Sequence, residues 1–313
     1  MQKKIKIYIT GVTGFIGSKI AEYCKRSGFH VIGIIRREKI KIKNELGIEI
    51  LESNLLDVNE LILEKADFVI HCATANDIIS RDFNSGINLS VVGTKKLLEA
   101  AKNANIKNFI FFSTAQVYGA ELQGVIDETA PLRCESSYAL NHFYGEELCK
   151  LYTIKHGFNI LVLRPSNVYG VPSVSTINRT SLVPICFVNE SIKKKVININ
   201  SSGRQIRNFV STEQVANLVL SVLENFPSGF AIINVGSDWC ASIKDIAKMV
   251  AVSFKSIFGK KISINRLDNN PKTSNHFKYK SIFFSKTENK KKCKENMNYV
   301  ITELFKKNSS HND

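Results

Sequence analysis

The tightest constraint on this chain is a run of three glycines near its start. Thr10-Gly11-Val12-Thr13-Gly14-Phe15-Ile16-Gly17 spaces them as Gly-x-x-Gly-x-x-Gly. The run lies between an apolar segment of strand length, Lys6–Thr10, and a stretch of helical periodicity, Phe15–Ser27, with apolar Ile16, Ile20, Ala21 and Tyr23. The first glycine permits a tight turn, the second lets backbone approach a pyrophosphate, and the third lets the helix pack closely on the sheet. The helix N-terminus then offers free N–H groups and the positive end of its dipole to phosphate. A strand, glycine turn and helix in this order imply a bound dinucleotide, with Gly11, Thr13, Gly14, Phe15, Ile16 and Gly17 around its phosphates.

Further apolar runs at Val31–Ile35, Phe68–Cys72, Phe109–Ser113 and Ile160–Leu163 alternate with helical stretches such as Val91–Lys102. Val31-Ile32-Gly33-Ile34-Ile35 shows no polar alternation, as a strand buried on both faces requires. The pattern predicts an α/β protein with a Rossmann-type doubly wound parallel sheet. After Gly170 it loosens. Val171–Asn208 scatters Pro, Ser, Thr and Asn around one apolar run, Leu182–Val188. Helices are expected at Thr212–Glu224, Ser242–Phe254 and Tyr299–Lys306, and a strand at Ala231–Val235. The division predicts a dinucleotide-binding domain, 1–170 with 213–236, and a smaller C-terminal substrate-binding lobe from 171–212 and 237–313. The lysine-rich run Asn289–Lys294 reads as a solvated face or a disordered loop.

The 313 residues are 44% hydrophobic and 23% charged, which suffices for a sizeable core and excludes a largely disordered chain. No run approaches the ~18–20 uncharged apolar residues of a membrane-spanning helix, and the apolar stretch after Met1-Gln2-Lys3-Lys4 is too short for a secretory signal. Seven cysteines with no C-x-x-C spacing argue against a disulfide framework or metal site and for a cytoplasmic protein. The net charge is +15, and residues 255–313 carry 14 basic against 5 acidic side chains. Such an excess favours phosphate-bearing partners, but no nucleic-acid module accompanies it, so neither nucleic acid nor membrane is expected as a partner.

The type of dinucleotide is read after the second strand. An acidic residue there would bond the adenosine ribose and favour NAD. Here Arg36 and Arg37 stand where a 2′-phosphate would sit, so NADP is expected over NAD. The alternative reading makes both ordinary surface cations, or lets them stack on adenine.

Other segments carry a resemblance. Asn88, Gly93-Thr94 and Leu97-Leu98-Glu99-Ala100-Ala101 look like the N-x-x-x-x-G-T…LLEAA helix of extended short-chain dehydrogenases. Ser113-Thr114-Ala115-Gln116-Val117-Tyr118-Gly119 is similar to their S-[ST]-x-x-V-Y-G strand end, and Arg164-Pro165-Ser166-Asn167-Val168-Tyr169-Gly170 to R-P-x-N-V-Y-G. Gly203–Val210 resembles G-x-Q-x-R-D-F-V, and Ile233–Ser237 resembles Y-N-V-G-S. Spread in order over residues 5 to 250, these resemble the NAD-dependent epimerase/dehydratase family, which modifies sugar nucleotides. The resemblance implies that Thr114 bonds the reacting sugar oxygen and that Tyr138 is the general acid/base. It places Asn54, Leu55, Ala73 and Pro165 beside the cofactor, Asn167 on the substrate, and Arg207 on a nucleoside diphosphate. It also implies a homodimer through the helices near Val91–Lys102 and Tyr138–Lys155.

One position departs from the family. A free tyrosine has a pKa of ~10 and needs a nearby cation to serve as a base at neutral pH. The family places a lysine four residues on, on the same helix face; here that residue is His142. Three readings follow: His142 is held protonated in the lysine's stead, the enzyme is slow and relies on the charge of the oxidised nicotinamide, or the protein binds cofactor without turnover. Ala115 and Gln116 provide no acid where family dehydratases carry one, which argues against dehydration. The expected activity is ketone reduction or 4-epimerisation of a nucleoside-diphosphate sugar, with surface polysaccharide as the expected route. The alternative is a catalytically impaired NADP-binding regulator or scaffold.

Overall fold

Side chains on the central strands are apolar in both directions, and this forces a three-layer arrangement. Ile7 and Ile9 face one side of their strand and Tyr8 the other; Val31 and Ile35 face opposite to Ile32 and Ile34. Each face needs its own cover of helices. The computed structural model describes residues 4–36, 43–57, 61–174, 177, 179–266, 276–283 and 289–309. The first half comprises β1 (Lys6–Thr10), α1 (Phe15–Arg26), β2 (His30–Ile35), α2 (Lys43–Leu46), β3 (Glu49–Glu52), β4 (Phe68–His71), α3 (Phe83–Ile87), α4 (Gly93–Asn103), β5 (Asn108–Phe112), β6 (Gly124–Ile126) and α5 (Ser137–His156). The second half comprises β7 (Asn159–Pro165), β8 (Asn167–Tyr169), α6 (Ile185–Lys194), β9 (Val196–Ile199), β10 (Ile206–Ser211), α7 (Thr212–Glu224), β11 (Phe230–Val235), β12 (Cys240–Ser242), α8 (Ile243–Phe258), β13 (Ser263–Arg266), β14 (Phe277–Tyr279) and α9 (Lys290–Ser309).

Seven parallel strands form the central sheet in the order β11-β7-β5-β4-β1-β2-β3. The order reverses between β1 and β4, which opens a crevice at their carboxyl ends. On one face α1 and α7 bury Ile20, Ala21, Val215 and Val219 against Ile7, Ile9, Ile110 and Leu161. On the other, α4 and α5 bury Leu97, Leu98, Cys149 and Tyr152 against Tyr8, Val69, Phe109 and Phe111. This is the doubly wound α/β sheet expected from the strand pattern.

Helix starts follow local chemistry. The Ser136 hydroxyl accepts from Ala139 N at 3.1 Å to open α5, and Gly157, at φ 64°, ends it. Ser211 with Gln214, and Ser242 with Asp245, form reciprocal caps on α7 and α8.

Shorter strands build the remainder. β10 pairs with β8 in parallel and with β12 antiparallel; β9 pairs with β13, and β6 with β14. Beside them α6, α8 and α9 share a core of Phe187, Val188, Trp239, Phe254, Met297 and Phe305. Here one expectation needs correcting. Asn289–Lys294 is no loop: α9 starts at Lys290 and runs twenty residues, well beyond the expected Tyr299–Lys306. Cys293, Met297, Val300, Ile301, Leu304 and Phe305 recur at helical spacing and are buried. Lys291, Lys292 and Lys294 form the solvated side of its first turns, and they hid that period.

Candidate active site

The glycine turn is shaped by contacts that leave no room for a Cβ. Gly11 has φ +71°, and a Cβ there would lie 2.8 Å from the Cys72 carbonyl carbon. A Cβ on Gly17 would lie 2.3 Å from the Gly11 carbonyl oxygen. Gly14 N donates to that same oxygen at 2.8 Å and closes the turn. Gly14 is also the N-cap of α1; no side chain caps the helix and its first turn holds no acid. The free amides therefore face the crevice as an anion seat, and the residues fit a dinucleotide pyrophosphate. Gly17→Ala should cost about 1–3 kcal/mol of stability by overpacking. It should also weaken dinucleotide binding by at least about tenfold, read by fluorescence titration of NADH and NADPH alongside urea unfolding.

A buried hydrogen-bond chain fixes the next loop. Thr10 Oγ1 accepts from Cys72 N and Ala73 N, each at 3.2 Å, so its proton points to His71 Nδ1 at 2.7 Å. Nδ1 is then the acceptor and Nε2 carries the hydrogen, donated to Thr94 Oγ1 at 3.0 Å. Thr94 passes its own proton to the Ser90 carbonyl at 2.5 Å. Burial pushes the His71 pKa down to about 3, so the ring is neutral and this tautomer persists.

One cavity of about 700 Å³ runs from the glycine turn to the start of β8. Gly11, Thr13, Gly14, Phe15, Ile16, Gly17, Arg36, Asn54, Leu55, Ala73, Thr114, Tyr138, His142, Pro165 and Asn167 all line it. Arg37 lies outside the described residues. Asn54 turns its side chain to the local backbone: its amide donates to Asp57 Oδ1 at 2.9 Å and its carbonyl accepts from Leu56 N at 3.1 Å. Asn167 Nδ2 donates to the Asn208 carbonyl at 3.0 Å. Arg207 stands apart, on β10 outside the cavity wall, with its guanidinium toward the Ala120 and Ile206 carbonyls. Burial lowers its pKa, with Glu121 opposing. Asp77 and Arg179 also line the cavity, 3.7 Å apart, and no sequence pattern marks either of them.

Thr114 and Tyr138 converge on one wall. Thr114 lies two residues past β5, and its hydroxyl accepts from Gln116 N at 3.2 Å and caps the 3-10 turn Ala115–Tyr118. Tyr138 sits one residue inside α5, with the Thr114 hydroxyl close enough to its phenol to favour the ionised form. Burial pushes the phenol above its usual pKa; the Thr114 bond and the Arg179 charge pull it down, and Asp77 pushes it up. His142 stacks edge-on against Tyr138, ring centroids 4.6 Å apart. It is 2% exposed, and neither ring nitrogen has a hydrogen-bond partner among the described residues. Burial pushes its pKa down to about 4, with only the Phe112 carbonyl opposing. Burial therefore favours the neutral ring.

This has a consequence for acid stability. Unfolded histidine titrates near ~6.5, so below that pH the unfolded chain binds protons that buried His142 and His71 refuse. Their contribution is full above pH ~6.5 and is lost as pH falls toward about 4 for His142 and about 3 for His71. His142→Leu removes one of the two. Between pH 7.5 and 4 the variant should lose about 3 kcal/mol less stability than the parent, measured by urea unfolding at each pH.

Beneath this wall lies a charged network. Arg164 Nε and Nη2 bond the two oxygens of Glu146 at 2.9 and 2.5 Å, and both side chains are 2% exposed. Glu146 also accepts from the Ser113 hydroxyl, next to Thr114. Arg164 Nη1 donates to Tyr118 Oη at 2.7 Å, which donates to Asn234 Oδ1 at 2.8 Å. Tyr279 Oη donates to the Arg164 carbonyl at 2.8 Å. Burial works against the Arg164 charge, but Glu146 more than offsets it, and the guanidinium pKa is raised. The network joins the segment after β5 with α5, β7, β11 and β14 behind the proposed reacting groups.

A parallel sheet with a glycine turn at its switch point, and a Thr–Tyr pair facing it across one cavity, defines a dinucleotide-dependent enzyme of the short-chain type. The family model for the NAD dependent epimerase/dehydratase family matches residues 7–236, and the chain belongs to that family. It is 28% identical over 280 residues to the "Uncharacterized UDP-glucose epimerase YtcB" of Bacillus subtilis, covering 84% of this chain and 85% of that protein. A putative UDP-glucose 4-epimerase of Methanocaldococcus jannaschii is 28% identical over 254 residues, covering 78% and 81%. Among solved structures, the UDP-glucuronic acid 4-epimerase of Bacillus cereus in complex with UDP-glucuronic acid and NAD aligns with a TM-score of 0.78 at 26% identity, covering 96% of this chain and 100% of that one.

Proposed function

We propose that this chain is an NAD(P)-dependent 4-epimerase of a nucleoside-diphosphate sugar. The observation that supports it most is the meeting of Thr114 and Tyr138 on the wall of the cavity that begins at the glycine turn. In this reading the amides at the start of α1 seat the cofactor pyrophosphate, and Gly11, Gly14 and Gly17 let it approach. The bound nicotinamide supplies hydride acceptance and return. Tyr138 Oη takes the proton of the sugar hydroxyl as its carbon is oxidised and gives it back on reduction. Thr114 holds the same sugar oxygen, and Asn167 orients the sugar beside the nicotinamide. Arg207 lies outside the cavity wall, so a grip on the diphosphate by Arg207 requires its guanidinium to leave the Ala120 carbonyl. Dehydration is disfavoured because Ala115 and Gln116 offer no ionisable group beside Thr114.

Arg36 supports a second reading, an NADPH-consuming ketoreductase. It stands just past β2 and lines the cavity, where a guanidinium suits a 2′-phosphate. The two readings differ in cofactor balance. Purified protein is incubated with UDP-, GDP-, CDP- and dTDP-sugars, and with keto-sugar nucleotides plus NADH or NADPH. Exchange of C4 epimers without net cofactor use supports the epimerase. Stoichiometric NADPH oxidation supports the reductase. Cofactor binding with neither reaction across the panel overturns both and favours a regulator or scaffold. The reading includes a homodimer, supported by exposed Tyr144, Leu151 and Ile154 on α5 with Phe83 and Val92 nearby. It also includes a reducing compartment, supported by seven free thiols.

A further inference from the structure

A phenol that is to shed its proton at neutral pH needs positive charge nearby, and α5 does not provide it. One turn after Tyr138 stands the neutral ring of His142. One turn further is Glu146, whose carboxylate is held by Arg164. Behind His142 lie Phe111 and His71, itself neutral. The Thr114 hydroxyl, two residues past β5, and the Asp77 carboxylate, on the loop after β4, line the same cavity as the phenol and both act on it. None of these is a cation.

The segment after β8 brings one. Arg179 lines the same cavity as Tyr138 and Thr114, and its charge reaches the phenol. Its Nη2 lies 3.7 Å from Asp77 Oδ1, an ion-pair separation too long for a hydrogen bond. Its Nε is buried and has no hydrogen-bond partner among the described residues. The guanidinium is therefore not fully committed to Asp77. It is charged at any working pH. Charge acts over distance, so direct contact with the phenol is not required.

We propose that Arg179 supplies the positive charge beside Tyr138 that the helix position of His142 does not, and that Asp77 partly neutralises it. Arg179 acts through Tyr138 and is a positioning residue. The proposal rests on Tyr138 as the proton-transfer group. It accounts for a chain that keeps Thr114 and Tyr138 while carrying an uncharged ring four residues on.

The test reads the phenol itself, with no substrate present. The full chain is labelled with 13Cζ-tyrosine, and the Tyr138 resonance is assigned by its loss in Tyr138→Phe. Titration to pH 11 then follows its ionisation. Asp77→Asn should lower the Tyr138 midpoint by about one pH unit or more, because Arg179 is unmasked. Adding Arg179→Gln to Asp77→Asn should raise it again by at least that amount, whereas Arg179→Lys should hold it low. A structural role alone would not produce this selective pair of opposite shifts. The proposal is overturned if Arg179→Gln leaves the midpoint of the Asp77→Asn protein unchanged, or if Tyr138 in that protein is still protonated at pH 11. Midpoints that move as expected in a protein inert toward every nucleotide sugar would instead count against the proposed function, and the electrostatic assignment would stand.

Discussion

Tyr138→Phe should reduce turnover of a nucleotide sugar by about 10²–10⁴-fold while leaving dinucleotide binding near that of the parent. The substitution removes one oxygen and keeps the ring. The edge-on contact with His142, centroids 4.6 Å apart, has no need of that oxygen. The Thr114 hydroxyl loses a polar neighbour, but it still accepts from Gln116 N and its place two residues past β5 is unchanged. The loss should therefore appear in kcat far more than in KM or in the unfolding midpoint. Equal activity of Tyr138→Phe and the parent would remove the phenol from the reaction.

Arg164→Met should cost about 3–5 kcal/mol, read as a lower urea midpoint with little change in slope. The size comes less from the lost bonds than from what stays behind. Glu146, 2% exposed, would keep a buried carboxylate with only the Ser113 hydroxyl for a partner. Tyr118 Oη would lose its 2.7 Å donor. Replacing both charges, Glu146→Leu with Arg164→Met, should recover much of the loss, since well-packed apolar groups often equal a buried ion pair. A single variant as stable as the parent would show that the pair is solvated in solution.

The central sheet was readable because its physics is local. Uninterrupted apolar runs declare doubly buried strands, and the runs containing Ile7, Ile32, Ile70, Ile110 and Leu161 all became parallel strands of one sheet. The glycine turn was equally plain, since its Gly-x-x-Gly-x-x-Gly spacing is local to the sequence. What escaped were features set at long range. β6 and β8 have three residues each, too few to show a period, and exist because partners such as Tyr279 and Phe209 arrive later in the chain. Asp77 and Arg179 lie 102 positions apart and meet only through the fold. The Arg207 segment matched a family pattern, yet a pattern says nothing of a side chain's direction, and this one turns toward Ala120. In α9 the lysines of the first turns overwhelmed an apolar stripe that is evident once the helix is seen.

The position of β11 in the sheet has a consequence for how the chain is made. β11 pairs along the outer edge of β7, matching Phe230–Val235 to Ile160–Pro165, 70 residues upstream. At ~5–20 residues per second, synthesis of that interval takes ~4–14 s. Throughout it β7 presents unpaired N–H and C=O groups on an apolar strand, Ile160-Leu161-Val162-Leu163, the kind of edge that recruits other chains. β11 is thus a late-arriving seal on a nascent sheet, and until it docks the β7 edge is open to pairing with other chains.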